Sequence, residues 1–292
     1  MILVTGATGN AGSEVVHALR RRGARVRAFV RDPERARARL GDDVELAVGD
    51  FADAASVRDA LDGVEQVVLS CADDPRRVEW ETAAVDAAAE AAVRRVVKLS
   101  TTTAKPGAPV AFWDWHGRVE EYLRSSPIPD VILRSSFYMS NLFADAESIA
   151  LHGRVLAPAG GARIAMIDPC DVGEVAASVL TGTGHDGKTY EITGPAAITY
   201  EQAAGALTAA TGRAVEFVDV PPEVARRGMI EAGVPEFVAD QVSTLFEMLR
   251  RGVAAEVTSG VESLTGRPPR SFPEFAREHA AVFTRSAAVA EG

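Results

Sequence analysis

Short apolar strands alternating with helical segments, and a glycine-rich turn between the first strand and the first helix, predict an α/β protein with a doubly wound parallel sheet. Strands separated by helices require right-handed crossovers, which such a sheet accommodates with helices on both faces. The strand at 1–5 is apolar and runs directly into the glycine turn. Segment 13–22 sets Val15, Val16 and Leu19 on one helical face and is stopped by Gly23. A second strand is expected over 24–30, a charged helix over 32–40 and a third strand over 44–48. Asp53 is placed as the N-cap of a helix running through Leu61. A fourth strand over 64–70, an alanine-rich helix over 82–92 and a fifth strand over 96–100 follow.

Beyond Ser100 the rhythm loosens. A loop over 101–109 leads to a helix over 112–125 and a sixth strand over 130–134. Segment 171–180 reads as helix and 188–193 as strand. Thr199 with Gln202, and Ser271 with Glu274, have capping-box spacing ahead of two further helices. The stretch around Leu245, Phe246, Met248 and Leu249 reads as a helix of a smaller lobe, and residues after Phe283 as a frayed tail. The expected division is 1–150 for the sheet domain and 151–292 mainly for a substrate lobe, with segments around 163–195 rejoining the sheet.

Composition narrows the class. The 292 residues are 47% hydrophobic and 25% charged, ample for a buried core. A net charge of -10 speaks against a nucleic-acid partner. The cysteines, Cys71 and Cys170, sit in no CxxC or Cys/His cluster, so neither a metal nor a disulfide framework is expected. No apolar run reaches the roughly 18 residues of a membrane span. Met1 enters an apolar strand without a basic n-region, so the expectation is a cytoplasmic protein, monomer or homo-oligomer.

The sharpest motif is Gly6-Ala7-Thr8-Gly9-Asn10-Ala11-Gly12, placed between a strand and a helix. Gly6 permits a tight turn, Gly9 a close backbone approach to a pyrophosphate, and Gly12 close packing of helix on strand. The helix amino end offers N–H groups and partial positive charge to phosphates. These features specify a Rossmann-like, dinucleotide-binding core. The second strand ends at Arg31, whose planar fork suits a ribose 2′-phosphate, with Arg35 one helical turn on. A surface arginine paired with Asp32 or Glu34 is the alternative, and Asp32 leaves NAD(H) open. NADP(H) is preferred. Asp50 and Phe51 follow the third strand, where they meet an adenine or merely form a turn. Ser70 with Cys71, and Ser100 with Thr101, close the fourth and fifth strands along the path of the cofactor's sugar and nicotinamide.

Together, TGATGNAG, VRDPERA, GDFAD, VVKLST, HGRVEEYL and ILRSSFYMSNL resemble the NmrA-like branch of the atypical short-chain dehydrogenases/reductases. The resemblance covers most of the chain and is weakest beyond about Pro221. It implies a Rossmann-like core with a small C-terminal substrate lobe. It also implies one of three occupations: quinone reductase, reductase of another conjugated or aromatic substrate, or a redox sensor that binds NAD(P) without turning it over.

The wider superfamily uses Tyr-x-x-x-Lys as proton donor and lysine partner. Here Tyr122, Tyr138, Tyr190 and Tyr200 are followed at that spacing by Ser126, Leu142, Gly194 and Ala204, so the motif is absent. Phe112 and His116 stand where tyrosine and lysine would be. A quinone eases this loss, because aromatisation drives hydride acceptance and the task left is alignment and electrostatics. His116, with an ordinary pKa near neutrality, is the first candidate proton donor and Tyr138 the second. Phe112, Trp113 and Trp115 beside His116 either stack on a flat substrate or staple the helix start to the core. Phe137 and Asn141 follow the sixth strand and are expected at the same cleft. Lys105 is the only lysine expected near this edge, since Lys98 lies within a strand and Lys188 is remote.

The function expected is an NAD(P)H-dependent reductase of a quinone or flat polycyclic aromatic carbonyl compound. A reduced polycyclic product reacts with O2, which would fit a tailoring pathway with net oxygenation. The alternative is a non-catalytic NAD(P) sensor read by a protein partner. A double-bond reductase or isomerase on the same scaffold is a third reading.

Overall fold

The structure, a computed structural model, describes residues 1–284; the tail expected after Phe283 lies almost wholly outside them. Its contacts divide the chain into two units. The first holds residues 1–135, 169–192 and 259–268. The second holds, among the described residues, 136–168, 193–258 and 269–284, so the boundary expected at 150 falls within the second unit.

The first unit follows the predicted alternation. Its elements are β1 (Ile2–Val4), α1 (Asn10–Arg21), β2 (Val26–Val30), α2 (Pro33–Leu40), β3 (Glu45–Val48), α3 (Ala54–Ala60), β4 (Gln66–Leu69), α4 (Arg77–Glu90), β5 (Arg95–Thr101), α5 (Ala111–Ser125) and β6 (Asp130–Ser135). After an excursion through the second unit, the chain returns as α7 (Pro169–Thr181), β8 (Lys188–Ile192) and α11 (Gly260–Thr265). The seven strands are parallel in the order β3-β2-β1-β4-β5-β6-β8.

Local chemistry sets the element ends. Asp32 accepts backbone N–H groups of Glu34 and Arg35 to start α2, and Asp53 accepts that of Ala55 to start α3. Gly23, at φ 72°, ends α1 as predicted. Helix α4 begins at Arg77, ahead of the predicted residue 82, because its first turn is held by the side chains of Arg77 and Glu81 in the interior. One face of the sheet is closed by Val57, Ala84, Val85, Val119 and Leu123 packed with Leu3, Val67 and Val96. On α7, Gly173 lies against the backbone of Glu14 in α1, where a Cβ would come to 2.5 Å of its carbonyl oxygen. Arg21 and Arg22 fasten the same pair of helices through Glu174.

The second unit has its own core. It contains a 3-10 helix (Met139–Asp145), α6 (Ala146–His152), β7 (Arg154–Ala157), α8 (Tyr200–Thr211), β9 (Glu216–Asp219), α9 (Pro222–Glu231), α10 (Glu236–Arg250) and α12 (Phe272–Glu278). Strands β7 and β9 pair in parallel as a small separate sheet. Both predicted capping boxes form, at Thr199 and Ser271, and α10 contains the stretch read as a lobe helix. Met139, Leu142, Ile164, Tyr200, Leu207 and Phe275 are buried together, and Phe143 stacks on Phe275. No helix of the described residues is long and apolar enough to cross a membrane.

Candidate active site

The strand order reverses between β1 and β4, and open α/β sheets receive ligands at such a reversal, outside the carboxyl ends of the strands. Thr5 ties the two ends together: its hydroxyl donates to the carbonyls of Val68 and Ser70 and accepts the N–H of Ser70. Gly6 turns at φ 60°, and a Cβ there would stand 2.9 Å from the Ser70 carbonyl oxygen. A Cβ on Gly12 would stand 2.2 Å from the Gly6 carbonyl oxygen, which keeps the helix close to the turn. Gly9 is exposed and is the N-cap of α1, with no side chain capping the helix. The first-turn N–H groups of Asn10, Ala11 and Gly12 are thus left for a ligand, whereas that of Ser13 donates to the Gly9 carbonyl. Thr8 is half-buried and Asn10 exposed beside this cradle.

At the end of β2, Asp32 Oδ1 accepts the N–H groups of Glu34 and Arg35, both at 3.0 Å. One carboxylate oxygen is thus held by the cap, and the other has no partner among the described residues. Arg31 is exposed, and among the described residues it pairs with neither Asp32 nor Glu34. After β3, Asp50 Oδ1 accepts the N–H of Ala52 at 2.8 Å, a turn role that leaves its other oxygen available. Phe51 packs edge-on against Phe29 with ring centres 5.6 Å apart, which fixes its half-buried ring beside the strand end.

Between β4 and β5 the structure assembles a buried charged line. Arg77 Nε donates to Glu81 at 3.2 Å and its Nη1 to Asp73 at 2.6 Å. Glu81 lies 3.2 Å from the Nζ of Lys98, and that Nζ also donates to the Leu99 carbonyl and faces the Nδ1 of His116 at 3.4 Å. Glu81 and Lys98 are both fully inaccessible, at 0% exposure, so each is sustained by its partners. Burial pulls the Lys98 ammonium down to about 8, against the opposing pull of Glu81. Half-buried Ser70 and Cys71 end β4, and burial with the nearby Glu81 pushes the Cys71 thiol up to about 12, leaving it protonated and unreactive.

Three expectations are corrected here. Burial, reinforced by the positive charges of Arg77 and Lys98, holds His116 well below its ordinary pKa. The ring is neutral at pH 7, so it donates an N–H and does not act as an imidazolium. Lys98, set aside as a mere strand residue, sends its head group to His116, whereas Lys105 is exposed in the loop. Ser100 is buried and donates to Glu120 at 2.6 Å, with Glu120 bound in turn by Arg134. Its hydroxyl serves the core, and Thr101, half-buried beside Thr103, is the residue of that pair at the strand edge.

Helix α5 sorts its aromatic cluster. Trp113 and Trp115 are each 8% exposed, while Phe112 and His116, one turn apart, are half-buried. Phe112 packs edge-on against Trp115 at 5.6 Å. Trp113 and Trp115 therefore act first as staples, and Phe112 is the ring left with an open face. Gly117 holds loop and helix together, because a Cβ there would meet the backbone of Lys105 and Pro106 within 2.6 Å. In the second unit, Phe137 and Met139 pair through their backbones with Ile167, and Phe137 packs on that unit's own core. Tyr138 precedes the 3-10 helix and is half-buried; Asn141 is exposed on it. Among the described residues, no group of three or more His, Cys, Asp or Glu is arranged to hold a metal ion.

The charged line was signalled weakly in the sequence. Lys98 interrupts an apolar central strand, and Arg77 and Glu81 have i,i+4 spacing; a charge in such a strand is rarely buried without a partner.

Known proteins are similar to this chain along almost its whole length. An NAD(P)H azoreductase of Xenophilus azovorans is 35% identical over 283 residues, covering 97% of this chain and 99% of that protein. A (4-alkanoyl-5-oxo-2,5-dihydrofuran-3-yl)methyl phosphate reductase of Streptomyces griseus is 39% identical over 284 residues, covering 97% of this chain and 99% of that protein. The crystal structure of an NADPH-dependent quinone oxidoreductase from Escherichia coli in complex with NADPH superposes with a TM-score of 0.85 at 28% identity, covering 95% of this chain and 99% of that one. The model of the NmrA-like family matches residues 1–273, and the chain belongs to that family.

Proposed function

We propose that the protein is an NAD(P)H-dependent oxidoreductase that reduces a quinone or a flat polycyclic aromatic carbonyl compound. The observation that carries the reading is the glycine cradle at the β1/β4 reversal, set beside a neutral, half-buried histidine at the end of a buried charged line. The oxidoreductase class is supported by relatives that span nearly the entire chain and are named as an NAD(P)H azoreductase and a reductase. The flat, electron-poor acceptor is supported by the quinone oxidoreductase likeness and by the missing tyrosine acid.

The cradle fits a dinucleotide. Side chains are excluded at Gly6 and Gly12, where a Cβ would strike backbone, and the uncapped amino end of α1 faces the space so made. Arg31, exposed and without an ion-pair partner among the described residues, holds the 2′-phosphate of NADP(H), and NADH is the weaker alternative that Asp32 allows. Asp50 and Phe51 border the adenine end, and Cys71 and Thr101 the nicotinamide end. When bound, the reduced nicotinamide supplies hydride. Phe112 offers a ring face to a planar acceptor, and His116 donates Nε2–H to the oxygen on which charge develops.

A reduced polycyclic product can react with O2 in an aromatic tailoring pathway, one oxygen atom entering as a new C–O bond and the other leaving as water with the two hydrogens of the hydroquinone, which is net oxygenation. Product formation that is unchanged without oxygen removes that step.

The decisive experiment follows loss of reduced-cofactor absorbance with NADPH or NADH and a panel of simple and polycyclic quinones. Acceptor-dependent oxidation that is faster with NADPH, and falls in His116→Phe, is the expected result. Tight NADPH binding with no turnover across the panel defeats the reductase reading and supports the sensor that the absent Tyr-x-x-x-Lys also allows.

A further inference from the structure

We propose that Lys98 fixes His116 as a neutral Nε2–H donor and supplies, through the imidazole ring, the proton that the reduced substrate takes up. The inference deepens the reductase reading above and rests on it for the substrate. It assigns a role to the one lysine in the buried line.

The geometry leaves little freedom. An ammonium has three hydrogens and no acceptor lone pair. Lys98 Nζ donates to the Leu99 carbonyl, faces His116 Nδ1 at 3.4 Å, and forms an ion pair with Glu81 Oε1 at 3.2 Å. Nδ1 must therefore accept, and the ring hydrogen resides on Nε2. His116 is half-buried, and its Nε2 has no hydrogen-bond partner among the described residues. Behind Lys98 the line is anchored, because Glu81 also binds Arg77 and Arg77 binds Asp73. One end is locked into the interior and the other is an imidazole edge with a spare donor.

The chemistry balances without another reductant. Hydride addition brings both electrons to the quinone and leaves an oxyanion. As an O–H bond forms to that oxygen, the Nε2–H bond breaks and Nδ1 takes a proton from Lys98 Nζ. The ring ends neutral with its tautomer exchanged, and Lys98 ends as a neutral amine. After product departs, a proton from solvent water returns to Nε2 while Nδ1 gives its own back to Lys98. Lysine and histidine from β5 and α5 thus perform the proton delivery for which the chain has no Tyr-x-x-x-Lys.

The groups facing the Lys98 ammonium are Glu81 and Arg77 from α4, His116 and Glu120 from α5, and Cys71 beyond β4. Burial lowers the ammonium to about 8, so the relay empties as pH rises through that value and kcat declines on a basic limb.

The test reads the tautomer before it reads activity. Long-range 1H–15N NMR on histidine-labelled protein, without cofactor or substrate, is expected to show His116 as Nε2–H near pH 7, assigned by its loss in His116→Gln. In Lys98→Met the preference should collapse to a tautomer mixture. An Nδ1–H or imidazolium ring in the unsubstituted protein overturns the proposal, as does an unchanged tautomer in Lys98→Met. Should that variant fail to fold, the Nδ1 resonance of the unsubstituted protein must move with a midpoint near 8, where Lys98 deprotonates, and a flat response overturns it equally. With a quinone acceptor, Lys98→Met is expected to lower kcat by about 10²-fold, the usual scale of general acid help, at unchanged KM and without the basic limb. Unchanged kcat sinks the relay. The expected tautomer with no turnover on any acceptor upholds the positioning by Lys98 and sinks the reductase reading instead.

Discussion

The turn after β1 excludes side chains, whereas the line from Arg77 to His116 consists of them. In the turn, Gly6 and Gly12 bring backbone against backbone: Gly12 meets the Gly6 carbonyl of the same turn, and Gly6 meets the Ser70 carbonyl at the end of β4. In the line, Arg77, Glu81, Lys98 and His116 come from α4, β5 and α5: Arg77 and Glu81 pair within one helix, and only the fold brings Lys98 to Glu81 and His116 to Lys98. The first region tolerates almost no added volume; the second tolerates almost no lost charge. A ligand site built this way has a rigid floor that recognises phosphate by shape and a charged wall whose protonation is set collectively.

Removing one charge from the wall should give the largest effect. Glu81→Leu strands Lys98 and Arg77 in the interior and is expected to cost about 3–5 kcal/mol, read by denaturant unfolding. A cost below about 1 kcal/mol, the scale of a solvated pair, would show that water reaches the line and erase the contrast with the turn. Adding one methyl to the floor comes next. Gly12→Ala drives a Cβ toward the Gly6 carbonyl and is expected to cost about 1–3 kcal/mol. NADPH affinity should fall at least about tenfold with it, as calorimetry would measure, since 1.4 kcal/mol is a factor of ten. Unchanged affinity would mean that α1 can retreat, and that the floor is less rigid than the wall.

Two changes at the end of β2 sharpen the same contrast on a smaller scale. Arg31→Ala removes a charge-assisted contact of about 1.5–3 kcal/mol and should weaken NADPH binding roughly 10- to 100-fold, with NADH binding unmoved. Equal losses for the two cofactors would take the 2′-phosphate away from Arg31. Asp32→Ala removes only the cap of α2, about 1 kcal/mol of stability, and should leave the NADPH-to-NADH preference as it was. A swing in that preference would return Asp32 to the ribose.

What could be read from the sequence follows the reach of each interaction. Asp53 as an N-cap, Gly23 as a helix stop, and the boxes at Thr199 and Ser271 all depend on residues a few positions apart, and all form. The small β7–β9 sheet and the early start of α4 were not legible. The first needs two short strands brought together across α8, and the second depends on burying Arg77 and Glu81. At the candidate site, the glycine turn was legible and the environment of His116 was not. Its position in α5 suggested a donor, but its neutrality comes from burial and from the charges of Arg77 and Lys98. The FWDW run likewise gave three aromatic rings, and only packing separated the buried Trp113 and Trp115 from half-buried Phe112.

By itself, then, the sequence determined the alternation of strands and helices, the parallel sheet, the glycine turn between the first strand and the first helix, and the absence of a Tyr-x-x-x-Lys pair, because each is written in near-neighbour spacing. Only the tertiary structure decided which lysine stands by His116 and which serine hydroxyl is withdrawn to Glu120. Those outcomes rest on desolvation and on charges from separate elements meeting in a low-dielectric interior, and neither quantity exists until the chain has folded.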